Sequence, residues 1–182
     1  MVEPFNNIRR ANYETDLDFL FELVNSTHDK TNRHCPGLKR WGFDKSSEWV
    51  RKDIENMWVY REDSSAKEGR DILACICIKV NEDGKACITL LTVHEEHQGK
   101  GIGGRLMDFA ETFGSKCEVQ IWSYHTRVHQ FYIKRGYEVT GSLPLTTWVS
   151  PEDIAMPECT SLVLLKVHRG DTFGKLGPNE EG

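Results

Sequence analysis

The chain of 182 residues has no stretch of about 18 consecutive apolar residues, and its first residues, Met1 to Asn7, lack a basic segment followed by an apolar one. Neither a membrane-spanning helix nor a secretory leader is therefore expected, and the reading is a cytoplasmic protein. Net positive charge is also missing. The formal charge is −5 and the pI about 5.8, which disfavours a surface built to coat nucleic acid or anionic lipid, so any phosphate must be held locally. The six cysteines form no C-x-x-C pair, and three of them lie inside apolar, strand-like runs, which points to reduced thiols rather than disulfides or a metal site. No internal repeat is present.

What remains is enough to close one core. Residues 1–168 read as a single domain, and the polar, Gly-containing segment 169–182 as a disordered tail. Ile8 to Ala11 forms a short strand candidate. Thr15 with Asp18 offers a cap for a helix that buries Leu17, Leu20, Phe21 and Val24 and ends near His28. Residues 29–45 hold Pro36, Gly37 and Gly42 among His34, Cys35, Trp41 and Phe43, a long loop suited to lining a pocket. A second helix is expected over roughly 47–57.

Strands at 58–60, 72–78 and 86–93, the last two joined by the turn Asn81-Glu82-Asp83-Gly84, make an antiparallel meander. A helix carrying Ile102, Leu106, Phe109, Ala110 and Phe113 on one side then runs to Gly114. After it come a strand at 117–124, a helix at 125–135 stopped by Gly136, and closing strands at 137–139 and 161–165 around the loop 144–157.

Four glycines fall within six positions in Gln98-Gly99-Lys100-Gly101-Ile102-Gly103-Gly104-Arg105. A turn of this kind, ending a strand and opening a helix, aims unpaired backbone N–H groups at one point beside the positive end of a helix dipole. Three readings are open. Glycines can simply supply positive φ in a tight connection, although one or two would do. Gly99, Gly101 and Gly104 also satisfy the dinucleotide pattern G-x-G-x-x-G. That fold, however, runs its strand almost straight into the first glycine and places a carboxylate at the end of the next strand. Here the polar segment His94 to Gln98 intervenes, and the next strand ends in Trp122-Ser123-Tyr124.

The third reading is a family resemblance. Val93 followed by Gln98-Gly99-Lys100-Gly101-Ile102-Gly103 resembles the acyl-CoA signature Q/R-x-x-G-x-G/A of the GNAT N-acetyltransferases. The segment His125 to Tyr137, in which Tyr132 is followed four residues later by Gly136 and then by an aromatic residue, is similar to a second motif of that family. The two motifs cover 87–137, and the order of elements agrees over about 8–168. The resemblance implies a mixed, mostly antiparallel twisted sheet of six or seven strands with about four helices, and acyl-CoA bound where two parallel strands ending near Val93 and Tyr124 splay apart.

It also implies roles. Backbone N–H groups from Gln98 through Gly99, Lys100, Gly101, Ile102, Gly103 and Gly104 would hold a pyrophosphate, with Lys100 and Arg105 as rim charges. The backbone edge of Leu91, Thr92 and Val93 would pair with pantetheine amides, and Tyr132 would protonate the departing thiolate. The competing reading of Tyr132 is a core aromatic beside Phe131. A base for the incoming amine is not evident, because the inward positions Cys87 and Thr89 are unsuited to it; His94, Glu95, His125, His28 and His34 are the other candidates.

The expected activity is acetyl-CoA-dependent N-acetylation of a primary amine of a small molecule by direct attack, with Trp41, Phe43, His34 and Trp148 near the acceptor. No metal is expected, and a monomer or homodimer is. A peptide N-terminus or protein lysine as acceptor, and a CoA-binding module without catalysis, are the alternatives.

Overall fold

The computed structural model describes residues 5–34, 53–62, 72–147 and 159–167. They form one seven-stranded sheet: β1 (Ile8–Arg10), β2 (Met57–Arg61), β3 (Ile72–Val80), β4 (Lys85–Val93), β5 (Lys116–Trp122), β6 (Glu138–Pro144) and β7 (Thr160–Val167). The strand order is β1-β2-β3-β4-β5-β7-β6. Three α-helices lie among the described residues: α1 (Tyr13–His34), α2 (Ile102–Ala110) and α3 (Thr126–Lys134).

Every neighbouring pair of strands is antiparallel except β4 and β5. Connection length dictates this. The β3–β4 turn is closed by Gly84 N–H donating to the Asn81 carbonyl (2.9 Å) and Lys85 N–H donating to Asn81 Oδ1 (2.8 Å), with Gly84 at φ +70°. The chain from β4 to β5 instead crosses over through α2, which returns it in the same direction.

The sheet carries a core on each face. On one side α2 contributes Ile102, Leu106, Met107 and Ala110 and α3 contributes Tyr132, packed on Ala74, Ile76, Ala86, Ile88, Cys117 and Val119. On the other, Leu20, Leu23 and Val24 of α1 pack on Val59, Cys75, Cys77 and Leu90. With helices on both faces, the centre of β3 is buried from Ala74 to Ile78, which is why its sequence reads as an uninterrupted apolar run.

In three places the helices depart from the sequence reading. The cap of α1 is Asn12 rather than Thr15 with Asp18: its Oδ1 accepts the N–H groups of Glu14 (2.8 Å) and Thr15 (3.3 Å). The same helix continues to His34 instead of ending near His28, since the first residue unable to continue it is Pro36. Most of the helix expected over 47–57 lies outside the described residues, and its end is different, with a 3₁₀ turn at Ile54–Asn56 and Met57 already in β2. Gly114 does follow the helical segment, but in extended conformation (φ −164°). A Cβ there would sit 2.3 Å from the Gly84 carbonyl oxygen, so glycine is required by close approach of the β3–β4 turn.

Candidate active site

The parallel pair frames the candidate site. β4 and β5 are in register from Lys85↔Lys116 to Ile88↔Val119, and there the pairing stops. β4 continues to Val93 paired only with β3, and His94 N–H extends that pairing to the Leu73 carbonyl (2.8 Å). The opposite edge of β4 from Thr89 to Val93 therefore faces no described strand. It includes Leu91, Thr92 and Val93, the residues expected to offer backbone pairing.

A bulge sits at the point of parting. Cys77 is opposite Leu90 while Ile78 is opposite Ile88, so Thr89 is the extra residue. The consequence is a change of face: Ala86 and Ile88 point to the α2–α3 core, Leu90 points to the α1 core, and Leu91 and Val93 return to the first.

Beyond Val93 a single 3₁₀ turn, Glu95–His97, leads into the glycine segment. Gln98 Nε2 donates back to the Val93 carbonyl (3.1 Å) and ties the turn to the strand end. Gly99 (φ +77°) and Gly101 (φ +83°) are left-handed, and Gly101 is the N-cap of α2. Among the described residues, a Cβ at either would meet nothing within 4 Å. The first helical bond is donated by Arg105 N–H to the Gly101 carbonyl (3.1 Å), so the N–H groups of Ile102, Gly103 and Gly104 precede any partner within the helix. This geometry fits an anionic group pressed against backbone. Gly103 allows close packing, its Cβ position lying 3.6 Å from Val93 Cγ2 and 3.8 Å from Phe131 Cζ. The end of β4, the start of α2 and the helix of the second motif meet there.

Lys100 is exposed beside the turn. The Arg105 N–H is used within the helix, and one guanidinium nitrogen donates to the Tyr60 hydroxyl on β2 (2.9 Å).

Tyr132 is 4% exposed, packed between Phe131 (ring centroids 5.0 Å apart) and Tyr137 (5.4 Å). Burial pushes its phenol up from the ordinary value, and neighbouring Cys117 acts in the same direction, so the hydroxyl is protonated at neutral pH. Its carbonyl accepts the N–H groups of Arg135 (3.0 Å) and Tyr137 (3.1 Å) across Gly136, whose φ of +84° makes the helix stop that the sequence predicts. Next to it, Arg135 donates to Asp108 (2.6 Å) and Glu111 (3.1 Å), and Glu111 also accepts from Tyr137 (3.2 Å) and Lys166 (2.6 Å). This network was not legible beforehand. Its trace in the sequence is the three-residue spacing of Asp108, on α2, and Glu111, just past the end of that helix.

Neither Cys87 nor Thr89, the β4 positions expected to face inward, has the chemistry of a base. Burial raises the Cys87 thiol, and Thr89 is an exposed alcohol. On β5, Glu118 is engaged by Lys85 Nζ at 2.5 Å. His94 is half-buried, its ring 5.8 Å from that of His97, and Glu95 is exposed. His28 and His34 lie on α1, but their side chains, like Trp41, Phe43 and Trp148 altogether, lie outside the described residues. All five cysteines described are free; Cys75 is pushed up to about 12 by burial, followed by the influence of Cys77. As for metals, His94, Glu96 and His97 bring ligand atoms within 4.8 Å of one another. No described helix is long and apolar enough to cross a membrane.

A sequence profile described as an acetyltransferase (GNAT) domain matches residues 53–139. No curated protein matches the chain at a significant level. Among solved structures, the chain is similar to the ribosomal-protein alanine N-acetyltransferase from Escherichia coli (TM-score 0.61, 10% identity, 96% of this chain and 98% of that one). It is also similar to the PaiA N-acetyltransferase from Thermoplasma acidophilum in complex with coenzyme A (TM-score 0.60, 17% identity, 88% and 98%). A nourseothricin acetyltransferase matches over less, with TM-score 0.51, 15% identity, and 61% and 64% of the two chains. At such identities the likeness is one of fold.

Proposed function

This chain belongs to the GNAT acetyltransferase family and is an acetyl-CoA-dependent N-acetyltransferase, and on that premise we propose that it acetylates a primary amine of a small molecule by direct attack in a ternary complex. The observation that carries the assignment of the site is the parting of β4 and β5 after Ile88–Val119, with the glycine turn at the end of the open edge. Each part of acetyl-CoA then has a surface suited to it. The N–H groups from Gln98 to Gly104 would receive the pyrophosphate at the start of α2, with Lys100 alongside. The open edge of Leu91, Thr92 and Val93 would take the pantetheine amides as an added strand and orient the thioester. Tyr132, protonated and rigidly held, is the proton donor for the thiolate as it leaves.

Attack without a covalent enzyme intermediate is favoured by Cys87. Its thiol is raised by burial, away from the thiolate form a nucleophile needs. For the acceptor, net charge of −5 suits a cationic amine.

The deciding experiment follows acetyl-CoA consumption against polyamines, amino acids, aminoglycosides and short peptides. Turnover of a non-peptide amine is the expected result. Turnover of peptides alone would assign the protein to N-terminal or lysine acetylation, and CoA binding with no turnover would make it a binding module.

A further inference from the structure

Acetyl transfer to an amine requires a proton acceptor, because a primary amine is mostly ammonium at neutral pH. The strand positions beside the parting supply none: Cys87 is raised, Thr89 is an alcohol, and Glu118 is held by Lys85 at 2.5 Å. A different group stands at the carboxyl end of β5. His125 follows the strand by three residues and is folded back over it by its N–H bond to the Trp122 carbonyl (2.9 Å). Nearby, Ser123 is pinned to β7 through its N–H to the Thr160 carbonyl (2.8 Å) and its Oγ, which accepts Thr160 N–H (3.1 Å).

The imidazole of His125 lies against the rings of Trp122 (centroids 5.2 Å apart) and Tyr124 (4.8 Å). Its Nε2 is enclosed and has no hydrogen-bond partner among the described residues, a condition shared by His129 Nε2 one turn further along α3. Such an atom is costly unless something supplied later bonds to it. Two influences favour the neutral ring: burial lowers its affinity for a proton, and His125 is the N-cap of α3, where the positive end of the dipole disfavours an imidazolium. Along the same helix face, His129 and Tyr132 follow at helical spacing, which places the base candidate and the acid candidate on one stripe.

We propose that His125 is the catalytic base, accepting at Nε2 the proton of the acceptor ammonium, an assignment that rests on the acetyl-transfer reading above. The N–H bond of the ammonium breaks and its proton passes to the imidazole and then to solvent. The freed lone pair forms the C–N bond as the C–S bond breaks. The second proton lost by the amine ends on the sulfur of CoA by way of Tyr132, so the products are the amide, CoA thiol and one proton.

The test compares the wild type with His125→Gln and His129→Gln from about pH 5 to pH 9. Acetyl-CoA is saturating, and the acceptor is whichever of spermidine, an aminoglycoside or a short peptide the wild type acetylates; CoA binding is measured by calorimetry. The wild-type kcat should fall on an acidic limb lying below 6.5, the ordinary histidine value. His125→Gln should lower kcat at pH 7 by about 10²-fold or more and abolish that limb, with CoA affinity unchanged. Retention of the wild-type rate and limb in His125→Gln, loss of the limb in His129→Gln instead, or a fall in CoA affinity in step with kcat would each overturn the assignment. Should His125→Gln not fold, His125→Asn is measured in its place against the same criteria. CoA binding with no amine acetylated by the wild type would overturn the acetyl-transfer reading itself, an outcome distinct from all of these.

Discussion

Tyr132 could have been one more core aromatic, and by burial it is one. What distinguishes it is that its phenol is rigidly held, kept protonated by burial and carried on the helix whose Phe131 lies beside Gly103 at the end of the open β4 edge. Tyr132→Phe keeps the packing and removes only the hydroxyl. We expect kcat to fall by about 10²-fold or more with the Kd for CoA unchanged, measured by steady-state kinetics and calorimetry. Cys87 gives the opposite expectation. With its thiol raised by burial and no part in direct attack, Cys87→Ala should keep the wild-type kcat, and mass spectrometry of the working enzyme should trap no acetyl-cysteine. At this scale the sequence supplies a side chain's type and its motif, while its partners are set by residues distant in the chain. Arg105 is expected as a rim charge from its residue type and place in the turn, while its bond to Tyr60, 45 residues earlier in the chain, comes from the fold.

The elements were read most accurately where local rules are strong. The β3–β4 turn, the apolar stripe of α2 and the stop at Gly136 each follow from a few adjacent residues, and each is found where expected. The glycine turn belongs to this class as well. Gly101 adopts φ +83° as the N-cap of α2, so a Cβ there is strained although nothing crowds it. Gly101→Ala should cost roughly 1 kcal/mol of stability and weaken CoA binding far more than it weakens the fold, by about tenfold or more. Thermal unfolding and calorimetry on the same preparation separate the two effects. Element boundaries were harder. Asn12 rather than Thr15 caps α1, and the helix runs on past His28, because capping is settled by which side chain reaches which N–H.

Across the whole molecule, distant segments are joined by charges as well as by the two cores. Asp16 on α1 is fully buried and accepts both Arg9 guanidinium bonds (2.6 and 2.9 Å) and the Asn12 N–H (2.8 Å), fixing the first helix to the first strand. Burial by itself would raise this carboxyl, but the Arg9 and Asn12 bonds outweigh it and hold the group below 3.8. With the folded value below the unfolded one, the contribution is complete above about 3.8 and is lost as pH falls through the folded value. Asp16→Asn should therefore lower stability by about 2 kcal/mol at pH 7, with the deficit shrinking in acid, as denaturant unfolding across pH would register. Sequence by itself determined the local patterns of this protein: the strand–turn–helix that presents N–H groups, the stop at Gly136 and the apolar periodicities are readable from neighbours in the chain. Tertiary structure alone decided that β4 and β5 part after Ile88 and Val119, that the bulge at Thr89 reverses which face each β4 side chain takes, and that His125 lies enclosed against Trp122 and Tyr124. Register, parting of strands and enclosure arise from contacts between segments far apart in sequence, and no local pattern encodes them.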